Sequence, residues 1–430
     1  MLGLQLQFSK PDLAADSEIK TISFLGLAVL VAIGVVGFKI HAVLRRKPCL
    51  RLCILGLLGV ALWVTPFLVL SWLGPRRSRM AHFTLSFFGV VAGFRWLELL
   101  LGTGPKGFDL SLRNFVTYFA SPAEVLFDGA GRLKASPDGL ISELLFRIAK
   151  HMLLGTIVLS IGKATSFAPF LEESGADPAT MPLLGFPQAE PAVYLQTLYI
   201  YCTLATAMLM HRLLLAFFGI DTVDSMQTPL LLSVSLREFW GRRWNLVVHR
   251  LMKRTFFVPL AGSSAWSRRA AGLLSFVMSG LFHEYMWLAV NWGSAGSYVP
   301  GLPLLFFLIQ FVLCAAEAVL ASSSLGLFVA QLPAPVRTVC TTLVILPFGP
   351  LFLQGLRGMA LECSQQGQTF SIVPAGAAGD MGSPPLDWIF CGVVGLIVSA
   401  KGAFRKESRC SVQLQKAPSI VAVLPECEGA

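Results

Sequence analysis

Runs of roughly 20 apolar residues recur along this chain, and no other feature constrains its fold as strongly. Each can cross the hydrocarbon core of a bilayer as a helix, the form in which a segment satisfies its own backbone N–H and C=O groups. Candidate spans lie near residues 21–38, 52–73, 82–101, 146–168, 194–218, 271–292, 302–330 and 336–356, with a shorter run at 386–400. The 302–330 run is too long for one untilted crossing, and a division is available at Ser322-Ser323-Ser324. Charged residues make up 13% of the chain and hydrophobic ones 55%, against about 25% and 45–50% in soluble domains. The expectation is an all-α polytopic membrane protein with about eight or nine transmembrane helices.

The formal net charge of +10 could point to nucleic acid. Most of the excess, however, sits in short segments between apolar runs, where membrane orientation requires it. No nucleic-acid partner is expected. The loop with Lys39, Arg45, Arg46, Lys47 and Arg51, the Arg237–Arg269 segment and the tail from Lys401 all read as cytosolic. Arg76, Arg77 and Arg79 conflict with this if 52–73 crosses once, and Pro66 offers a break there. Residues 1–20 carry Asp12, Asp16 and Glu18, unlike a basic secretory leader, so the first apolar run is expected to stay as an anchor. The 102–144 connection reads as a loop with a short amphipathic piece, and the proline-rich 169–192 and the 362–385 stretches as loops. Nine cysteines without a CxxC pair indicate neither a disulfide framework nor a metal site.

Polar residues inside apolar runs are costly and usually mark pairing or function. Arg95 and Glu98 share a helix face and are expected to pair with each other. Glu317 has no local partner. His151 and His211 lie near span ends, where interfacial snorkelling would explain them. His283 falls midway along its span, with Ser279 and Gly280 on the same face to admit a close neighbour. Either a hydrogen-bonded core residue or a functional one fits this position, and Glu284 beside it tilts the reading towards function. A zinc reading of His283-Glu284 fails, because H-E-x-x-H requires a second His where Trp287 stands.

Residues 240–255, taken as one helix, place Trp240, Trp244, Val247, Val248, Leu251 and Thr255 on one stripe. Arg242, Arg243, Arg250 and Lys253 fall largely opposite, and Asn245 shares a face with His249 away from the apolar side. This is the pattern of a basic amphipathic helix at a membrane surface. It serves as an anchor to anionic lipid or as a cationic surface for a phosphorylated substrate.

The string REFWGRRWN (Arg237–Asn245), followed by SGLFHE (Ser279–Glu284), resembles the signature of the wax synthase branch of the membrane-bound O-acyltransferases. The likeness is dense from about Pro229 to Trp292. It implies a helical bundle around an intramembrane catalytic chamber, with His283 and Asn245 as catalytic residues. Residues 229–400 would form the catalytic region, 21–228 the N-terminal membrane helices and 401–430 a polar tail. The implied partners are acyl-CoA from the cytosol and a fatty alcohol from the bilayer. No cofactor and no metal are called for, and the expected residence is the endoplasmic reticulum. On this reading His283 is the general base, Arg242, Arg243, Arg250 and Lys253 face the CoA phosphates, and Trp240, Trp244 and Glu284 give support. Imidazole suits the first task, since its ordinary pKa of about 6.5 leaves it able to take a hydroxyl proton near neutrality.

Two other acceptors, a sterol and diacylglycerol, fit the same signature. From a different class, a transporter could use Arg95, Glu98, His283 and Glu317 as an ion path. Such a protein is expected to show paired repeats, which this sequence lacks, and REFWGRRWN would go unexplained.

Overall fold

The computed structural model describes residues 4–8, 13–73, 79–164, 190–293, 298–356 and 370–374. Its helices in chain order begin with α1 (Leu13–Val43), α2 (Pro48–Leu73), α3 (Arg79–Leu101), α4 (Leu112–Ala120), α5 (Leu140–Ala164) and α6 (Glu190–Phe217). Three short pieces, α7 (Pro229–Leu232), α8 (Leu236–Glu238) and α9 (Leu246–Met252), lead through α10 (Val258–Leu260) to α11 (Ala265–Val290). α12 (Leu302–Leu320), α13 (Ser324–Gln331) and α14 (Ala334–Ile345) follow. Eight segments among the described residues are long and apolar enough to cross a bilayer: Phe24–Val43, Cys49–Trp72, Ala81–Leu101, Leu140–Ile161, Tyr194–Phe217, Ala265–Val290, Leu302–Leu320 and Ala334–Leu353. The 386–400 run lies outside the described residues. One small β element accompanies the helices: Leu4–Phe8 pairs antiparallel with Phe370–Pro374.

Lipid-facing positions keep their apolar side chains outward. Leu57, Leu68, Trp72 and Val312 are each more than half exposed, which only a hydrocarbon solvent makes favourable over so wide a surface. Pro66 does not end its helix; α2 runs through it, and Gly89 of α3 packs directly against the proline ring. Arg76 and Arg77 lie outside the described residues. The long 302–330 run does divide at its serines, where the Ser323 hydroxyl accepts the Gly326 N–H and caps α13.

α3 is the central strut, packed against α1, α2 and α11. Trp96 on it is fully buried, and its indole fills the space over Gly37 of α1, where any Cβ would collide with the ring. Arg95 and Glu98 do not pair with each other, contrary to expectation. The Arg95 guanidinium donates to the carbonyls of Tyr118, Ser121 and Ala123, fastening the turn after α4 to the strut. Glu98 takes Arg254 instead, at 2.8 Å. Proximity along a helix face lost to the unmet carbonyls of a loop, which only a guanidinium with several donors can serve at once. The 102–144 connection carries its short amphipathic piece as α4, capped by Ser111. His151 is buried rather than snorkelling, between the Arg147 carbonyl and the Tyr201 hydroxyl.

Candidate active site

The sequence Ser235-Leu236-Arg237-Glu238 is a capping box, and the chain starts a helix there. The Ser235 hydroxyl accepts the Glu238 N–H at 3.1 Å, and the Glu238 carboxylate accepts the Val234 N–H at 2.9 Å. The N–H groups of Leu236 and Arg237 are taken by Glu317 of α12 at 2.8 and 3.1 Å. Glu317 is therefore the cap that the box lacks.

Residues 240–255 do not form one helix, as the periodicity suggested. Phe239–Arg243 make a π-turn, Trp244 is extended, and Asn245 adopts a left-handed conformation at φ 40° before α9 begins. Asparagine tolerates this conformation and caps well. Its Oδ1 accepts the Val248 N–H at 3.4 Å. Asn245 is buried, so it does not turn away from the apolar side; its Nδ2 has no hydrogen-bond partner among the described residues. Within α9 the expected stripe holds, with Val247, Val248 and Leu251 buried. His249 is half-buried, and burial together with Lys253, Arg250 and Arg254 pushes its pKa down to about 4.

The four cations separate into two groups. Arg243 is engaged within the protein, against Glu238 at 2.6 Å and the Gln227 carbonyl at 3.2 Å. Arg242 and Lys253 are exposed, and Arg250 is partly exposed, 4.0 Å from Glu124. Arg254 lies deeper, paired with both Glu98 and Glu124.

His283 sits on α11, where Gly280 lets α12 approach; a Cβ there would stand 2.9 Å from the Leu304 backbone. The imidazole stacks on Phe307 of α12 at 4.8 Å and 22°, with Phe352 at 5.0 Å and Trp287 at 6.1 Å around it. Its Nδ1 lies 2.7 Å from the Ser279 carbonyl. A carbonyl can only accept, so the proton is on Nδ1, and Nε2 presents a lone pair. Glu284 turns away to the start of α12, where it accepts the Tyr298 hydroxyl and the N–H groups of Gly301 and Leu304 at 2.9 and 3.1 Å. Burial and Glu284 together push the Tyr298 phenol well above its ordinary range, so it remains a donor.

The two signature strings meet on Phe307. It stacks on His283 and also lies 5.6 Å from Trp240, whose indole N–H donates to Gln310 at 3.3 Å. Trp244 packs beside Trp240 and Phe239. Sequence reading missed Phe307, Gln310 and Phe352, because aromatic and amide residues on an apolar helix carry no signal of what they face. No cluster of metal ligands occurs among the described residues.

Residues 223–309 match the model of the membrane bound O-acyl transferase family, and this stretch holds both signature strings together with Phe307. Over these residues the chain is similar to that family. It is an O-acyltransferase with a helical membrane fold. It is 25% identical over 328 residues to the long-chain-alcohol O-fatty-acyltransferase of Simmondsia chinensis, covering 72% of this chain and 82% of the relative. To the probable long-chain-alcohol O-fatty-acyltransferase 6 of Arabidopsis thaliana it is 28% identical, covering 56% and 64%. The acyl-CoA–sterol O-acyltransferase 1 of the same plant is 25% identical, covering 61% and 71%.

Proposed function

We propose that this acyltransferase transfers a fatty acyl group from acyl-CoA to a long-chain fatty alcohol, giving a wax ester and free CoA. His283 carries the reading: its Nδ1–H is fixed on Ser279, and its Nε2 stands in an aromatic enclosure with a lone pair to offer. Nε2 takes the alcohol proton as the hydroxyl oxygen attacks the thioester carbonyl. The tetrahedral intermediate then expels the CoA thiolate, which recovers that proton from the imidazolium and leaves as the thiol. The unpartnered Nδ2 of Asn245 is suited to hold the oxyanion, a contribution of about 3 kcal/mol in comparable sites. Arg242, Lys253 and Arg250 supply cations for the CoA phosphates, and Arg243 holds the π-turn that carries Arg242.

A sterol acceptor is the second reading, favoured by the likeness to the Arabidopsis sterol acyltransferase. Diacylglycerol is a third acceptor to offer. The transporter path loses its parts, since Arg95, Glu98 and Glu317 are all engaged in structural hydrogen bonds.

The test is microsomes carrying the wild type or His283→Ala, supplied with labelled palmitoyl-CoA and hexadecanol, a sterol or diacylglycerol. Labelled wax ester from the wild type, reduced at least about 100-fold in the variant, is the expected result. Ester from the sterol alone would replace the acceptor, and unchanged turnover in His283→Ala would remove the base.

A further inference from the structure

Gln310 is completely buried in α12, one helical turn from Phe307. Its Oε1 accepts the Trp240 indole N–H, but its Nε2 has no hydrogen-bond partner among the described residues. Buried donors without partners are rare, and each asks for an absent acceptor. Leaving one unpaired costs about 1–3 kcal/mol, while Leu or Met would fill the same space at no such cost. The apolar surroundings, Phe306, Phe307 and the Trp240 ring, provide no acceptor.

The register of the two helices fixes where this donor lies. α11 and α12 run antiparallel: Glu284 meets Leu304, His283 meets Phe307, and Phe276 meets Phe311. Trp240, bonded to Gln310, lies beside Phe276. Gln310 is thus displaced from His283 towards the end of α11 that carries Arg268 and Arg269, the end at which Glu317 of α12 caps the start of the segment leading to Trp240 and the exposed Arg242. An acyl-CoA with its phosphates at those cations and its thioester at His283 must pass its pantetheine arm through the level of Gln310. That arm is a chain of methylenes interrupted by amides, whose carbonyls need donors in an apolar passage.

We infer that Gln310 Nε2 donates a hydrogen bond to a pantetheine amide carbonyl of the bound acyl donor. This rests on the acyl-CoA reading above, and it gives the enzyme a substrate-binding residue just beyond the stretch matched by the family model. Trp240, holding the other end of the amide, aims the donor.

The experiment measures binding rather than turnover, using a thioether, S-hexadecyl-CoA, that cannot transfer its chain. The wild type and Gln310→Leu are purified in detergent, and Gln310→Met serves as a second variant should the first fail to fold. The variants are expected to bind about tenfold more weakly, the equivalent of one hydrogen bond worth about 1.4 kcal/mol. An analogue with both pantetheine amides replaced by methylenes should bind the wild type and variants equally. A matching loss with both ligands would mean that Gln310 merely packs against Trp240, and no loss with either would mean that its partner is water; both overturn the inference. If the wild type itself fails to bind S-hexadecyl-CoA, the acyl-CoA reading falls, a result distinct from equal binding by wild type and variants.

Discussion

Glu317 accepts the backbone N–H of Leu236 at 2.8 Å, across 81 residues of sequence. α12 is therefore held at both ends by carboxylates: Glu284 of the histidine helix caps its start, and its own Glu317 caps the start of the signature segment. Between them Phe307 touches His283 and Gln310 holds Trp240. The mutual placement of the two signature strings is set by this third helix.

Removing that cap should loosen the segment without touching the chemistry directly. Glu317→Ala is expected to lower stability by about 1 kcal/mol, as for other lost caps. Glu317→Gln, which keeps an acceptor, should lose less. Thermal melts of the purified variants check this, and equal melting of Glu317→Ala and wild type would mean the cap carries no weight.

Asn245 combines a left-handed backbone, a helix cap and a free amide donor. These can be separated. Asn245→Asp keeps the cap oxygen and loses the donor, so kcat should fall about 100-fold with little change in melting temperature. Asn245→Gly accepts the backbone conformation but loses cap and donor together, and should show a comparable fall in kcat. Full activity in Asn245→Asp would exclude the amide from oxyanion binding.

Arg254 is the charge whose loss should cost most. Its removal leaves Glu98 and Glu124 as carboxylates that are 0% and 2% exposed, with the remaining contact to Glu124 from Arg250 at 4.0 Å. Breaking a buried pair from one side costs about 3–5 kcal/mol. Arg254→Met is expected to reduce folded protein in membranes more than any of the other substitutions considered above. Glu98→Gln combined with Arg254→Met should recover part of that loss, and a double variant as poor as the single one would contradict the pairing.

The exposed cations should behave differently from Arg243. Arg242→Ala with Lys253→Ala should raise KM for acyl-CoA severalfold and leave KM for the alcohol unchanged, with the effect shrinking at high salt. Arg243→Ala should instead lower stability, because it frees Glu238 from its ion pair. Initial-rate measurements at two ionic strengths distinguish these outcomes, and a salt-independent effect on both substrates would reject the phosphate role.

Much of this protein was legible in the sequence. The spans follow from run length alone, since a bilayer demands helices of a given apolar length and leaves little else possible. The division at Ser323 and the close approach at Gly280 are local rules that act where the residues stand. Arg95 and Glu98 show the limit: a shared helix face predicted a pair, and the loop after α4 and Arg254 took the two partners apart. The same holds for residues 240–255, whose periodicity suggested one helix until the left-handed turn at Asn245 broke it. Glu317, Phe307 and Gln310 gain their meaning only when α12 lies against α11 and the signature segment. A buried polar group must be satisfied by whatever reaches it, and sequence distance does not limit that reach. The chain by itself determined which segments enter the membrane; tertiary packing decided which polar groups meet there, because in hydrocarbon no water is available to substitute for a missing partner.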